Sequence, residues 1–473
     1  MSLIIPANTL ASGGYEVDNS LRFNGTNDSL VRTPSSAGSS TINTWSFWVK
    51  RSELDSSQTL YSSEVSSSNV FKIGFTSNTL EILFYVAPAY RFQIKTNRLF
   101  RDVSAWYNIV IIQNAGAGTS TDRLQIWVNG VRETSFAITN FPDADEGAAP
   151  INASGVSQNI GTTGTENFGG YMSEVVHIDG TAYAASDFGE FDEDSGIWKP
   201  IDVSGLTFGT NGSYFQFKET GTSQNSSGIG ADTSGEDNHY AVNNLTAIDQ
   251  TTDTPTNNFA TMNPLDNFFA AATFSEGNLK LVGTGTYTFN TSTIGLSTGK
   301  WYMEAKATAQ NNAVIGIMDK PSISVSNELG YNTYGWEYKS GNGQIRGGAS
   351  GGTLIDTYST YANGDIIGVY LDLDNNKLYF AKNGTIQNSG TGISITAAAS
   401  TTNGQYFMCV GKAVTATGTT WEVNFGNPTY TGTDQADVNS RGSFEYSPSA
   451  GTFDSASKDF LAICTANLSE VLG

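Results

Sequence analysis

The stretch from Gly364 to Gly384 constrains this chain more than any other. Val369-Tyr370-Leu371-Asp372 and Lys377-Leu378-Tyr379-Phe380 are two runs of bulky β-formers, and Asp374-Asn375-Asn376 stands between them. Asp and Asn tolerate the positive φ that a tight turn demands, so the pattern predicts an antiparallel hairpin. Asn383-Gly384 closes the second run with another strong turn signal, and Gly364-Asp365 opens the first. Short β-rich runs broken by Gly, Asn, Asp and Ser recur along the whole chain. No long stretch has helical periodicity, and no heptad seam is present. The expected fold class is all-β.

At 473 residues there is room for two or three domains. Aromatic residues make up 12%, too many for a disordered chain. The net charge of −21 repels nucleic acid and anionic membrane, so neither is expected as a partner. It also keeps a large β surface from aggregating. The two cysteines, Cys409 and Cys464, are too few for a disulfide framework, and Cys409 lies in a strand-like run as a small buried thiol. Met1-Ser2-Leu3-Ile4-Ile5-Pro6 lacks the pattern of a signal peptide, and no run reaches membrane-spanning length. Synthesis in a cytoplasm is therefore expected, with no membrane insertion.

The hairpin belongs to a longer series. It starts with Lys300-Trp301-Tyr302-Met303-Glu304 and runs through Val314-Ile315-Gly316-Ile317 and Tyr334-Gly335-Trp336-Glu337-Tyr338. In order and spacing this series resembles the core of a SPRY domain. The resemblance implies a β-sandwich that presents loops to a partner and does no chemistry.

Upstream, Thr44-Trp45-Ser46-Phe47-Trp48-Val49-Lys50 alternates as a half-buried strand does. Trp106-Tyr107-Asn108-Ile109-Val110 and Leu124-Gln125-Ile126-Trp127-Val128-Asn129-Gly130 follow. These pieces resemble the laminin-G, or concanavalin-A-like, jelly roll. Gly170-Tyr171-Met172-Ser173-Glu174-Val175, Ser186-Asp187-Phe188-Gly189-Glu190-Phe191-Asp192 and Asp253-Thr254-Pro255-Thr256-Asn257-Asn258-Phe259 resemble blocks in structural proteins of tailed bacteriophages, particularly marine ones. Leu461-Ala462-Ile463-Cys464-Thr465-Ala466-Asn467-Leu468 resembles a segment that follows such domains, with Ser469 in place of the usual proline.

The expected layout is an arm over 1–20, a concanavalin-A-like jelly roll over 21–218, an extended strap over 219–264, a SPRY-like sandwich over 265–427 and a tail or anchor over 428–473. The strap is rich in Ser, Thr, Asn, Asp and Gly, the composition of a linker. Tyr240, Leu245, Phe259 and Met262 punctuate it and predict an ordered course along both domains.

Catalytic sets are scarce. Glu190-Phe191-Asp192-Glu193-Asp194 has the alternating carboxylates of laminarinase-type glycosidases, which need two of them about 5 Å apart. Gly189 and Gly196 bracket the run, and a turn is the better reading. His177 sits in an apolar strand and His239 in the strap, with no zinc-ligand spacing. Neither a Gly-x-Ser-x-Gly elbow nor a phosphate loop is present. The chain is expected not to be an enzyme.

Calcium is the one cofactor the sequence leaves open, at Asp143, Asp145 and Glu146 in a loop of the first domain. Ligand contacts are expected from loop aromatics, because sugar faces pack on rings. Candidates are Tyr85, Tyr90 and Arg91 around Pro88, Tyr358, Tyr361 and Asn363 before Gly364, and Trp336. The expected role is a phage virion protein, a tail-fibre or receptor-binding component that recognises a host-surface glycan or protein. Its other partners would be virion proteins and further copies of itself. Head decoration is the alternative, and a polysaccharide depolymerase a more distant one.

Overall fold

The Asn-Gly pairs at 129–130 and 383–384 sit at two-residue hairpin turns. Asn129 (φ 48°) and Gly130 (φ 73°) connect Val128 to its partner Val131, and Asn383 (φ 47°) and Gly384 (φ 74°) connect Lys382 to Thr385. Two successive positive φ values match the right-handed twist of the flanking strands. The predicted hairpin pairs Ile366–Asp372 with Lys377–Lys382, with Asp372 opposite Lys377 and Asn376 at φ 54°.

The structure is a computed structural model that describes residues 14–266, 268–269, 271–283, 287–310, 312–319, 328–348, 351–413, 418–454 and 458–472. These divide between two units, 14–257 and 258–472. Each is an all-β sandwich.

In the first unit, one sheet runs in the order Val131–Arg132, Leu124–Val128, Tyr107–Asn114, Ile42–Arg51, Gly169–Asp179, Ser20–Asn24, Gln250–Thr251. The second runs Phe136–Asn140, Ala89–Leu99, Thr79–Val86, Asn69–Thr76, Gln58–Ser66, Ser157–Ile160, Ser29–Arg32, Ala241–Asn243. Their facing sides enclose Trp45, Phe47, Phe71, Ile73, Phe92 and Ile160. Trp45 stacks on Phe71 at 5.3 Å and on His177 at 5.1 Å. Burial drives the His177 imidazole down to about 3, so it is a neutral core ring.

The strand Ile42–Arg51 departs from the half-buried expectation, because both of its faces are covered. Trp48 packs with Trp106 and Tyr171, while Val110, Val176, Phe188, Val203 and Phe208 form a further cluster on the same side. Lys50 meets Asp253 there at 2.7 Å. The residues that composition marks as a linker supply part of this cover. Up to Asn257 they fold with the first unit, burying Tyr240 and Leu245 in its core.

A bulge in Gly169–Asp179 between Ser173 and Val176 turns Glu174 to φ 47° and buries it. Its carboxylate accepts hydrogen bonds from the hydroxyls of Tyr214 and of Tyr15, the latter at 3.1 Å. Burial pushes this carboxyl up to about 7, the two tyrosine bonds and Lys218 opposing and Asp202 adding to the rise. A carboxyl raised on folding holds its proton better in the folded state, so its contribution is full below the unfolded value and is lost as pH rises through about 7. We expect urea stability of the first unit to decline by on the order of 3 kcal/mol from this group between pH 5 and 8. Glu174→Gln should flatten that decline, and an unchanged pH profile in this variant would refute the assignment.

In the second unit one sheet runs Phe268–Phe269, Thr288–Thr291, Phe407–Lys412, Ala313–Met318, Gly335–Lys339, Gln344–Gly347, Leu354–Thr357. The other runs Ala272–Ser275, Lys280–Gly283, Thr419–Asn424, Lys300–Ala309, Ile366–Asp372, Lys377–Lys382, Thr385–Ile386. Trp301, Met303, Ile315, Trp336, Val369 and Trp421 fill the space between them. A second cluster, built from Tyr302, Tyr370, Tyr379, Phe444, Phe453 and Phe460, covers the far side of the larger sheet. Much of it comes from the residues expected to form a tail. Leu461–Ala462 pairs in parallel with Trp301 and Tyr302, and the helix Thr465–Leu472 follows.

Candidate functional site

The second sheet of the first unit carries a polar cleft of about 460 Å³. Strand alternation builds its floor. Leu30, Tyr61 and Ile160 point into the core, so their neighbours Ser29, Val31, Ser62 and Asn159 point away from it. Ser157, Glu64 and Asn243 lie on that same outer side and line the cleft with Ser29, Val31 and Asn159. Thr26 and Asn27 from one turn and Thr162, Thr163, Gly164 and Asn167 from another supply the walls.

The walls are pinned. Thr162 Oγ1 donates to Asn167 Oδ1 at 2.7 Å and accepts from the Gly164 amide at 2.7 Å. Asn167 Nδ2 donates to the Thr26 carbonyl, and Lys72 Nζ holds Glu166 at 2.7 Å. On the floor, Asn159 Nδ2 donates to Ser62 Oγ at 3.1 Å and Asn243 Nδ2 to Ser29 Oγ at 3.2 Å. An Asn side chain has two donor hydrogens and two acceptor lone pairs. These bonds orient the amides and leave capacity for a ligand.

Among its described lining residues the cleft has one carboxylate, Glu64, and no histidine or cysteine. The arrangement suits a ligand rich in hydroxyls. It lacks the second carboxylate that glycosidase chemistry requires.

The acidic run 190–194 is elsewhere: it begins at the end of a short strand and continues into the turn that follows. Gly189–Phe191 pairs with Trp198–Pro200, and Lys199 Nζ lies 3.3 Å from both Glu190 and Asp192. Asp192 Oδ1 accepts from the amides of Asp194 and Ser195, and the Ser195 bonds hold its carboxyl down at about 2.

Of the aromatics expected to bind ligand, two are brought together. Tyr85 and Tyr90 face each other across a hairpin, ring centroids 5.1 Å apart, with Tyr90 47% exposed. Arg91 is exposed beside them. Tyr358 is half-buried and packs on Tyr338 at 5.8 Å, while exposed Asn363 accepts from the Gln310 amide at 2.6 Å.

Trp336 and Tyr361 require correction. Each is 2% exposed, and Tyr361 Oη donates to the carbonyls of Ala313 and Tyr338. Both rings belong to the core, Trp336 from the inward side of its strand and Tyr361 from the segment before Gly364, and neither presents an open face to a ligand. Asp143, Asp145 and Glu146 are not gathered as a metal-ligating group of three side chains, and no such group of carboxylate, His or Cys occurs among the described residues. Glu146 Oε2 instead accepts from the Asp143 amide at 3.1 Å, and the Asp145 amide donates to the Ala115 carbonyl.

Reasoning from aromatics alone passes over Asn159, Asn167, Asn243 and Glu64. The available signal was weak: Ser157-Gln158-Asn159-Ile160 and Ala241-Val242-Asn243 place amides where a solvent-facing strand position carries any polar residue.

Comparison with known families agrees with the two sandwiches. Residues 24–183 match the concanavalin A-like lectin/glucanases superfamily, and residues 300–428 match the SPRY domain. The chain thus carries one domain of each kind. Among solved structures it is similar to the SPRY domain of human HERC1, with 17% identity over 34% of this chain and 96% of that one and a TM-score of 0.29. It is also similar to the heptameric SAP-like pentraxin of Limulus polyphemus, with 16% identity over 36% of this chain and 78% of that one and a TM-score of 0.27. The PSpry domain of TRIM65 gives 13% identity over 35% of this chain and 91% of that one, with a TM-score of 0.27. No curated protein matches.

Proposed function

We propose that this protein is a non-catalytic recognition component of a tailed-bacteriophage particle, a tail-fibre or receptor-binding protein whose first unit holds a host-surface glycan. The polar cleft carries this reading. Amides and hydroxyls on a rigid sheet, with pinned walls and a volume of about 460 Å³, are what a saccharide needs and what a structural spacer does not. The sequence blocks within residues 170–264 that resemble phage structural proteins are what suggests the virion assignment. Virion proteins and further copies of this chain are the other partners in this reading. Weak single sites then add through multivalency on the particle.

The test is saturable binding of labelled full-length protein to host cells, competed by the cells' purified surface polysaccharide. Asn243→Ala should weaken binding about fivefold, the worth of one hydrogen bond, with an unchanged melting temperature. Failure to bind cells, together with tight binding to particles lacking the protein, would replace the adhesin with a decoration role.

A further inference from the structure

Strand register carries the cleft floor sideways across the sheet. Ser157 is directly opposite Glu64, Glu64 opposite Val70, Val70 opposite Tyr85 and Tyr85 opposite Tyr90. Residues directly opposed on neighbouring strands project to the same side. This side is the one away from Phe71, Phe84 and Phe92, which lie in the core. The five strands are consecutive in the sheet, so four spacings of ~4.8 Å make a row about 19 Å long. One end is the cleft, and the other is the tilted tyrosine pair.

Charge on this face is uneven. The adjacent row runs Asn159, Ser62, Lys72, Leu83, Gln93, and its lysine is taken up by Glu166 at 2.7 Å. Glu81 beyond it accepts from Gln93 Nε2 and Thr76 Oγ1. No described cation pairs with Glu64, which sits between the cleft and the tyrosines.

We propose that the cleft and the Tyr85–Tyr90 pair are the two ends of one elongated site for an uncharged oligosaccharide of several sugar units laid across the strands. This inference rests on the glycan-binding reading above. The apolar face of a sugar packs on the tyrosines, hydroxyls pair with the cleft amides, and the Glu64 carboxylate accepts hydroxyl bonds midway. The same carboxylate repels sulfate, phosphate and uronate groups, which gives discrimination by charge.

The probes are fluorescently labelled gluco-, galacto- and manno-oligosaccharides of one to six units, with a sulfated form of the best-binding hexamer, titrated onto the full chain. The hexamer should bind at least about tenfold tighter than the monosaccharide. Tyr90→Ala should remove about tenfold from the hexamer and leave the monosaccharide unchanged, the loss of one ring contact. Tyr90 is exposed, so the melting temperature should hold. The sulfated hexamer should bind at least about tenfold more weakly, and Glu64→Gln should narrow that gap. Affinity independent of length, or a hexamer indifferent to Tyr90→Ala, would overturn the elongated site and leave glycan binding intact. Equal or better binding of the sulfated form would overturn the charge selection. Failure of all three series to bind would overturn the glycan reading itself.

Discussion

Asp253→Ala is expected to destabilise the first unit by about 3–5 kcal/mol and to lower its melting temperature by roughly 6–20 °C. Lys50 and Asp253 are each 1% exposed and meet at 2.7 Å on the covered side of the first sheet. Burial drives the Lys50 ammonium toward its neutral form, and the Asp253 charge opposes that drift. Asp253 also accepts from the Trp106 indole at 3.1 Å, and its carbonyl accepts from Ser20 Oγ at 2.6 Å. Removing the carboxylate therefore takes the 2.7 Å ion-pair partner from a buried ammonium and the acceptor from an indole N–H. In the variant, Lys50 would bind its proton less well folded than unfolded, so the deficit should narrow as pH rises above neutrality. A Lys50→Met, Asp253→Leu double variant should recover most of the loss, because a buried pair is far costlier to break than to replace. Urea melts of the three proteins decide the matter. A double variant as unstable as Asp253→Ala would mean that packing, not charge, is what the aspartate provides.

What could be read in advance follows the range of the interaction. The turns at Asn129-Gly130 and Asn383-Gly384 were legible because φ preference is local, and each pair sits between alternating apolar runs. The class of the fold was legible for the same reason. The double covering of Ile42–Arg51 was not, since Asp253 and Val203 reach that strand from far along the chain. Trp336 and Tyr361 were expected to contact a ligand because a Tyr or Trp has the same local sequence pattern whether its side chain faces in or out. The three loop carboxylates near Asp143 are close in sequence, but the Glu146 carboxylate is taken by the Asp143 amide and the Asp145 amide is held by the Ala115 carbonyl. The cleft was hidden most thoroughly. Its floor joins Ser29, Glu64, Asn159 and Asn243, and only strand register brings them together. Asn, Ser and Thr are so common here that no single one stands out. Tyr85 and Tyr90 were legible as exposed rings, yet their alignment with Glu64 and Ser157 exists only in the pairing of the strands.

In the second unit, Glu304→Leu is expected to cost at least about 3 kcal/mol, because it abandons five donors at once. Glu304 is fully buried on the side of the larger sheet that the C-terminal residues cover. Its Oε1 accepts from Asn424 Nδ2 at 2.9 Å, Tyr430 Oη at 3.2 Å and the Glu445 amide at 2.6 Å. Its Oε2 accepts from Tyr302 Oη at 3.0 Å and the Tyr446 amide at 3.2 Å. Burial pushes the carboxyl upward and the bonds to Glu445, Asn424 and Tyr446 pull it back. Asn424 cannot turn its amide to compensate, since its other groups already bind Ser443 and Gly426. A leucine fills the volume and answers none of these donors. Two backbone amides come from 445 and 446, so the loss should loosen the covering segment ahead of the sandwich. Chymotrypsin should then cut near Phe444 or Phe453 well before the wild-type chain is cleaved, at a temperature where the sheets persist. Glu304→Gln separates geometry from charge. Its amide nitrogen can donate to Tyr302 Oη but must face the Tyr446 N–H, so a loss smaller than that of leucine yet clearly measurable is expected. Equal stability of the Gln variant and the wild type would mean that the carboxyl is held protonated, with Tyr302 accepting from it.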